Sequence, residues 1–351
     1  MSARTTLKDV AREAGVHIST ASRALNPSTA SIVNPETVER VTEAARKLGY
    51  RPHPLARGLR TNRTMSVGVI IPDVENPLFG PIIAGVESVL VEKGYSVLIG
   101  NADRGPGHSD SLVEDMLKRH VDGLILATPS RDPSAVARDA QRNVPVVLVN
   151  RSVDDDSIPA IVGDDHAGIG LAVSHLTDLG HERIGHVAGP SWVSTGKGRR
   201  DAFLDWIATV GLDPDADLVE EADWYQVEPG TIAALVLLGR HPDLTAIVAA
   251  NDLLGLGCYR AVRSLGKVIG VDVSITGYND IPLLDLMQPP MTAVRVPYRQ
   301  MGAEAASALL ALIAGEVVSP GRVRLTPTLA IRASTAPPAV AAAPGVVPSD
   351  V

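Results

Sequence analysis

The sequence predicts an α/β protein in two parts: a three-helix head within residues 1–52 and a larger body of two parallel sheets, each covered by helices. Three observations carry this. Up to Leu48, apolar residues recur at helical spacing, broken once by a glycine turn. From Val67 onward, strand-length apolar runs alternate with helical stretches, and the alternation restarts near Ala160. Charge divides at the same place: residues 1–63 carry 11 Lys or Arg against 5 Asp or Glu, a charge of +6, which leaves −14 on residues 64–351 of a chain whose total is −8.

A chain of 351 residues, 45% of them hydrophobic, exceeds one ordinary core and folds as two or three domains. A basic head on an acidic body lets the head approach phosphate while the body is repelled from it. With Cys258 as the single cysteine, an intrachain disulfide and a Cys-rich zinc site are both excluded, and a small buried hydrophobe is expected there. The segment from Met1 to Val10 has no apolar stretch of the signal-peptide kind. No run approaches the roughly 18 to 20 apolar residues that span a bilayer, so a cytoplasmic location is expected.

In the head, Leu7, Val10, Ala11 and Ala14 lie on one helical face; Gly15 and Val16 interrupt, and a second helix begins at Ile18. Two short helices joined by a tight glycine turn make a helix-turn-helix. Val16, Ala21 and Leu25 close its core, which leaves His17, Ser19, Thr20, Ser22 and Arg23 as a polar face suited to base edges and phosphates. Asn34 caps a third helix, Pro35 opens it, and Val38, Val41, Ala45 and Leu48 stripe it up to Gly49. Beyond lies Leu-Ala-Arg-Gly-Leu-Arg, residues 55–60, too short to hold as a helix in water: it is either a plain linker or a piece that folds only against something else, for example DNA and its own copy in a dimer.

The run TLKDVAREAGVHISTASRALN, Thr6 to Asn26, resembles the head of the lactose and galactose repressor family of bacterial transcriptional regulators, and residues 36–52 resemble its third helix and following segment. That resemblance implies that the second helix enters the major groove, with Ile18, Ser19 and Arg23 at base-reading positions and Thr6, Thr20, Ser22, Asn26 and Tyr50 mostly fixing the DNA backbone. It also implies a hinge helix and linker at 53–64, where Ala56 and Leu59 match the family's spacing and Leu59 from each subunit wedges into the minor groove. The chain departs from the family pattern at His17, Ala21 and His53, and in a slightly longer loop from Pro27 to Asn34.

In the body, strands are expected at 67–71, 96–99, 123–126 and 146–149, and again at 160–162, 184–187, 246–248 and 273–276. Helices are expected at 79–93, 109–119, 135–142, 168–179, 199–210, 227–238, 255–265 and 298–313, with a last strand around 324–329 and a disordered tail at 336–351. Ligands of open sheets bind beyond the carboxyl ends of the strands, and the loops there, among them 72–79, 150–155, 189–199, 251–252 and 277–280, hold most of the body's interesting polar side chains.

The family resemblance continues through Asn76-Pro77-Leu78-Phe79, Leu179 to Ile184, Asn251-Asp252 and Gly277 to Asp280, and extends to about residue 332. The body also resembles periplasmic sugar-binding proteins, which implies a periplasmic-binding-protein-like pair of lobes over 65–335. The implied lobes are discontinuous, about 65–163 with 293–318 and about 164–292 with 319–335, joined by three crossings. The implied ligand contacts are Phe79, Asn150 and Arg151 on the first lobe and Arg199, Asn251 and Asn279 on the second. Arg199 offers a fork of donors to vicinal hydroxyls or a carboxylate. Asn150 and Asn279 are neutral where many members are acidic, which leaves room for a ligand with its own negative charge. For Trp192 and Trp224 a core role is favoured over covering a sugar face; Asp164 and Asp165 are read as caps of the following helix, His166 as a surface residue of that loop, and Gly196 to Gly198 as a short turn.

No phosphate loop, no Gly-x-Gly-x-x-Gly after the first strand, no serine elbow and no metal-ligand spacing is present, so no catalytic residue, metal or cofactor is assigned. The expected partners are double-stranded operator DNA, a small sugar or sugar derivative as effector, and a second copy of the chain. The tail has no leucine heptad of the kind that builds a tetramer. Repression relieved by the effector is the favoured reading; the alternative is a corepressor-dependent repressor or activator responding to a nucleobase or organic acid.

Overall fold

The computed structural model describes residues 5–26, 29–50, 63–102, 108–127, 144–154, 158–318 and 321–339. The chain divides into a small unit ending at Met65 and a large one starting at Ser66.

The small unit holds α1 (Leu7–Glu13), α2 (Ile18–Ala24) and α3 (Pro35–Lys47). Each start is capped by the residue the local sequence supplies. Asp9 accepts from the amide (3.0 Å) and hydroxyl (2.7 Å) of Thr6, which holds its carboxyl below the usual range, and Asn34 accepts from Glu36 N–H at 2.9 Å. Val10, Ala11, Ala14, Ala21, Ala24, Val41, Ala44 and Ala45 form the core, with Leu7, Val16, Leu25, Val38, Leu48 and Tyr50 packed at its edge. Small residues dominate it because three short helices cross closely.

The large unit opens with β1 (Ser66–Ile71), β2 (Ser96–Asn101), β3 (Gly123–Leu126), β4 (Val146–Val149) and β5 (Ala160–Gly163). β6 (Ile184–Ala188), β7 (Val219–Glu221), β8 (Ala246–Ala249), β9 (Ser274–Asn279) and β10 (Thr292–Arg295) follow, then β11 (Arg322–Leu325) and β12 (Thr328–Ala330). They form two six-stranded sheets, ordered β11-β5-β4-β3-β1-β2 and β12-β10-β9-β8-β6-β7. Every pairing is parallel except β10 with β12. Helices α4 (Phe79–Glu92), α5 (His108–Lys118), α6 (Asp165–Asp178), α7 (Ser194–Thr209), α8 (Val227–Arg240), α9 (Asp252–Ser264) and α10 (Tyr298–Ala314) cover them. β3, β4 and β8 are buried along their whole length, as strands covered on both faces must be.

The chain crosses between the lobes three times, after β5, after β10 and after β11. These crossings correct the implied lobe boundaries. The second sheet keeps the chain through Arg295, and the final strand region divides: Arg322–Leu325 pairs with Ala160–Gly163 in the first sheet, while Thr328–Ala330 pairs with β10 in the second. A continuous apolar run cannot show which sheet edge receives it. The expected helix at 135–142 and residues 51–62, with Ala56 and Leu59, lie outside the described residues, as do 340–351. Ala336, where the tail was expected to begin, is held by the second lobe: its N–H donates to Ser274 Oγ at 3.1 Å and its carbonyl lies 2.9 Å from His181 Nε2. Cys258 is fully buried, and burial pushes its thiol up to about 12.

His186 sits in the core of the second lobe, stacked on Phe203 at 4.8 Å, with Nδ1–H donating to the Val248 carbonyl at 2.7 Å. Burial, opposed by that carbonyl and helped by Arg199 and Arg200, pushes its pKa down to about 4. The unfolded chain takes up this proton near pH 6.5 and the folded chain only near 4. Stability present above pH 6.5 is therefore lost as pH falls through that window, by roughly 3 kcal/mol. Denaturant titrations at pH 7 and pH 4.5 are expected to show a larger loss for the wild type than for His186→Leu; equal losses would remove His186 as the cause.

Candidate functional site

On the head, α2 presents Ile18, Ser19 and Arg23 outward, while Thr20, Ser22 and Asn26 are half-buried. Ile18 is 43% exposed. His17 is the N-cap: its Nδ1 accepts from Ser19 N–H at 3.3 Å and lies 2.8 Å from Ser19 Oγ. The histidine thus caps the helix and also orients Ser19. His17→Ala is expected to destabilise the head by about 1 kcal/mol while His17→Ser is neutral, read from the melting of residues 1–62 by circular dichroism within the full chain. Tyr50 packs on the head's core, and burial raises its pKa.

In the body, one cleft gathers all six of the sequence-assigned ligand residues. The first lobe contributes Pro72, Asp73, Asn76, Leu78 and Phe79 from the end of β1 into α4, with Asn150 and Arg151 from the end of β4. The second contributes Thr195 and Arg199 after β6, Trp224 and Tyr225 after β7, Asn251 after β8, and Asn279 at the end of β9. Six strand ends converge here because parallel strands point their carboxyl ends the same way. Asn150 and Asn279 have φ of 64° and 119°, left-handed conformations in which asparagine is among the best-tolerated side chains.

Arg199 is the most constrained of these groups. Its Nε donates to Asp165 at 2.8 Å, one Nη to the Ala250 carbonyl at 2.7 Å, and its guanidinium lies 3.8 Å from the centre of the Tyr278 ring. Burial opposes its charge, but Asp165 and the surrounding tyrosines outweigh burial and raise its pKa. Asp165 is therefore an ion-pair partner rather than a cap; Asp164 alone caps α6, accepting from Ala167 N–H at 2.9 Å. Asn251 caps α9 through Leu254 N–H (2.8 Å), and Asn279 accepts from the Tyr298 hydroxyl at 2.6 Å.

Asp252, next to Asn251, is fully buried and accepts from Ile281 N–H at 2.8 Å; burial pushes its carboxyl well above the usual range. Its role is to tie the loop after β9 to α9. Across the lobes, Ser152 N–H donates to Ser194 Oγ at 3.0 Å.

The tryptophans are not core residues. Trp192 is 48% exposed and stacks on Trp224 at 5.2 Å, and Trp224 lines the cleft. The stretch Gly196 to Gly198 is helical, inside α7, which begins five residues before the expected start. Lys197 pairs with Asp201, and His166 lies 5.6 Å from Trp206; neither lines the cleft. Asp73, Asn76, Thr195 and Tyr225 line the cleft without having been assigned. Asn76 lies in a quoted motif, whereas Tyr225 follows a three-residue edge strand too short to register as a pattern. No cluster of metal-binding side chains occurs among the described residues, and no helix there is long and apolar enough to cross a membrane.

The chain matches two family models: bacterial regulatory proteins of the lacI family over residues 6–53, and a periplasmic binding protein-like domain over 173–335. It is 33% identical to the HTH-type transcriptional regulator CelR of Thermobifida fusca over 338 residues, covering 94% of this chain and 98% of CelR. The structure of a Lac repressor dimer bound to operator and an anti-inducer superposes with a TM-score of 0.86 at 30% identity, covering 95% of this chain and all of that one. A CelR–cellobiose complex superposes at 0.73 with 32% identity, covering 94% and 100%. With a two-part architecture matched along nearly its full length by such relatives, the chain belongs to the lacI family of bacterial regulatory proteins and is a DNA-binding transcriptional regulator.

Proposed function

We propose that the protein is a repressor whose grip on operator DNA is controlled by a small sugar-like effector in the cleft between its lobes. The observation that carries this reading is the convergence of Phe79, Asn150, Arg151, Arg199, Asn251 and Asn279, drawn from five separate strand ends, on one cleft. The Lac repressor dimer on its operator and CelR with cellobiose supply the precedent for both ligands.

In this reading a homodimer clasps a roughly palindromic site. Ile18, Ser19 and Arg23 meet base edges, while Thr6, Thr20, Ser22, Asn26 and Tyr50 hold the backbone. Ala56 and Leu59 belong to the hinge, with Leu59 as the wedge in the minor groove. Closure of the lobes on the effector reorders the paired hinges and lowers DNA affinity by a coupling of about 1 to 3 kcal/mol.

The test is a fluorescence-anisotropy titration on the chain's own upstream promoter DNA, with and without a panel of sugars. Saturable binding released by one compound is the expected result, and no preference over random DNA rejects the reading. Leu59→Ala is expected to weaken operator binding at least about tenfold, 1.4 kcal/mol, and to reduce DNA bending; unchanged affinity and bending would eliminate the wedge.

A further inference from the structure

The cleft is built to donate hydrogen bonds more than to accept them. The amide oxygens of Asn76, Asn251 and Asn279 already accept from Leu78 N–H (3.2 Å), Leu254 N–H (2.8 Å) and the Tyr298 hydroxyl (2.6 Å), while their –NH₂ groups have no partner among the described residues. Arg199 is balanced by Asp165. Arg151 is not balanced: it is 5% exposed, lines the cleft, and its guanidinium makes no hydrogen bond or ion pair with any described residue. Its Nε is buried without a partner. One carboxylate, Asp73, also lines the cleft, with one oxygen occupied by Glu75 N–H at 2.9 Å.

A buried arginine without a counter-charge is costly to the folded state unless something else supplies the charge. Burial lowers its pKa to about 10 against the pull of Tyr225, and Arg199 nearby adds repulsion. The planar fork of an arginine matches the oxygens of a carboxylate or phosphate two at a time. We infer that the effector carries an anionic group, a carboxylate or a phosphate, that seats on Arg151, with its hydroxyls taken by the asparagine amides. This inference rests on the effector-controlled reading above and deepens it.

The test compares wild type with Arg151→Met, which keeps the length and removes the charge. Calorimetric titrations use glucose, cellobiose, gluconate, glucuronate and glucose 6-phosphate, and thermal unfolding is measured without ligand. An anionic compound is expected to bind wild type and to bind Arg151→Met at least tenfold more weakly; gluconate or glucuronate against glucose 6-phosphate tells carboxylate from phosphate. The unliganded variant is expected to melt at or above the wild-type temperature, since it no longer buries an unpaired charge. A variant that melts lower shows Arg151 to be a structural group and overturns the inference. A neutral sugar that binds both proteins alike and releases DNA overturns it while leaving the regulatory reading standing. A panel in which nothing binds overturns it too, and the effector-controlled reading with it if DNA binding is intact.

Discussion

Arg199→Ala is expected to abolish effector-dependent release of DNA and to weaken effector binding by at least about 100-fold, close to 3 kcal/mol. The size follows from how completely the side chain is committed. Its removal leaves the Asp165 carboxylate, the Ala250 carbonyl and the face of Tyr278 without their shared partner, inside a site where the arginine is 4% exposed. Breaking one side of a buried ion pair costs about 3 to 5 kcal/mol, so the variant is also expected to unfold more easily. Arg199→Lys restores the charge but has no fork to hold Asp165 and Ala250 together, and it is expected to recover stability in part and effector binding hardly at all. Calorimetric titration beside thermal unfolding separates the two effects. A variant that binds effector at wild-type strength would remove Arg199 from the site.

The second large effect lies away from the cleft, where α4 and α10 cross in the first lobe. Gly85 and Gly302 face each other's helices. A methyl on Gly302 would overlap the Ile82 carbonyl and stand 3.0 Å from Val86 N, and one on Gly85 would overlap the Arg299 carbonyl and stand 3.0 Å from Ala303 N. The obstacles are backbone atoms, so no rotamer change relieves them. Gly302→Ala is expected to destabilise the body by about 3 kcal/mol, a fall of roughly 5 to 10 °C in the unfolding midpoint. Gly80→Ala is the control: it lies in α4 too, with open space around it, and is expected to be neutral or slightly stabilising. Equal midpoints for the two variants would show that the helices can separate without loss.

These predictions draw on different depths of information. The first can be framed from the sequence, because Arg199 stands in a polar loop after a strand and matches a family position. Its commitment to Asp165, 34 positions away in the chain, has no local trace, and spacing alone assigns Asp165 to a cap instead. The glycine pair is invisible in sequence, since two helices more than two hundred residues apart acquire a shared contact only once the chain returns through its second crossing. Trp192 and Trp224 mislead for a related reason: scarce aromatics are expected in cores, whereas here they stack on each other at the cleft's edge.

What the sequence determined by itself is what depends on neighbours along the chain. Helical spacing and caps define the head, apolar runs define most of the strands, and the order of strands and helices brings the polar loops to the carboxyl ends of two parallel sheets. What only the tertiary structure decided depends on distance through space. It set which sheet receives Arg322–Leu325 and which Thr328–Ala330, which acidic residue balances Arg199, and which arginine is left without a counter-charge. The physical reason is that an edge strand's backbone can pair with either sheet, and a buried charge takes whichever opposite charge the fold brings within about 4 Å. Neither choice is recorded in the residues adjacent to it.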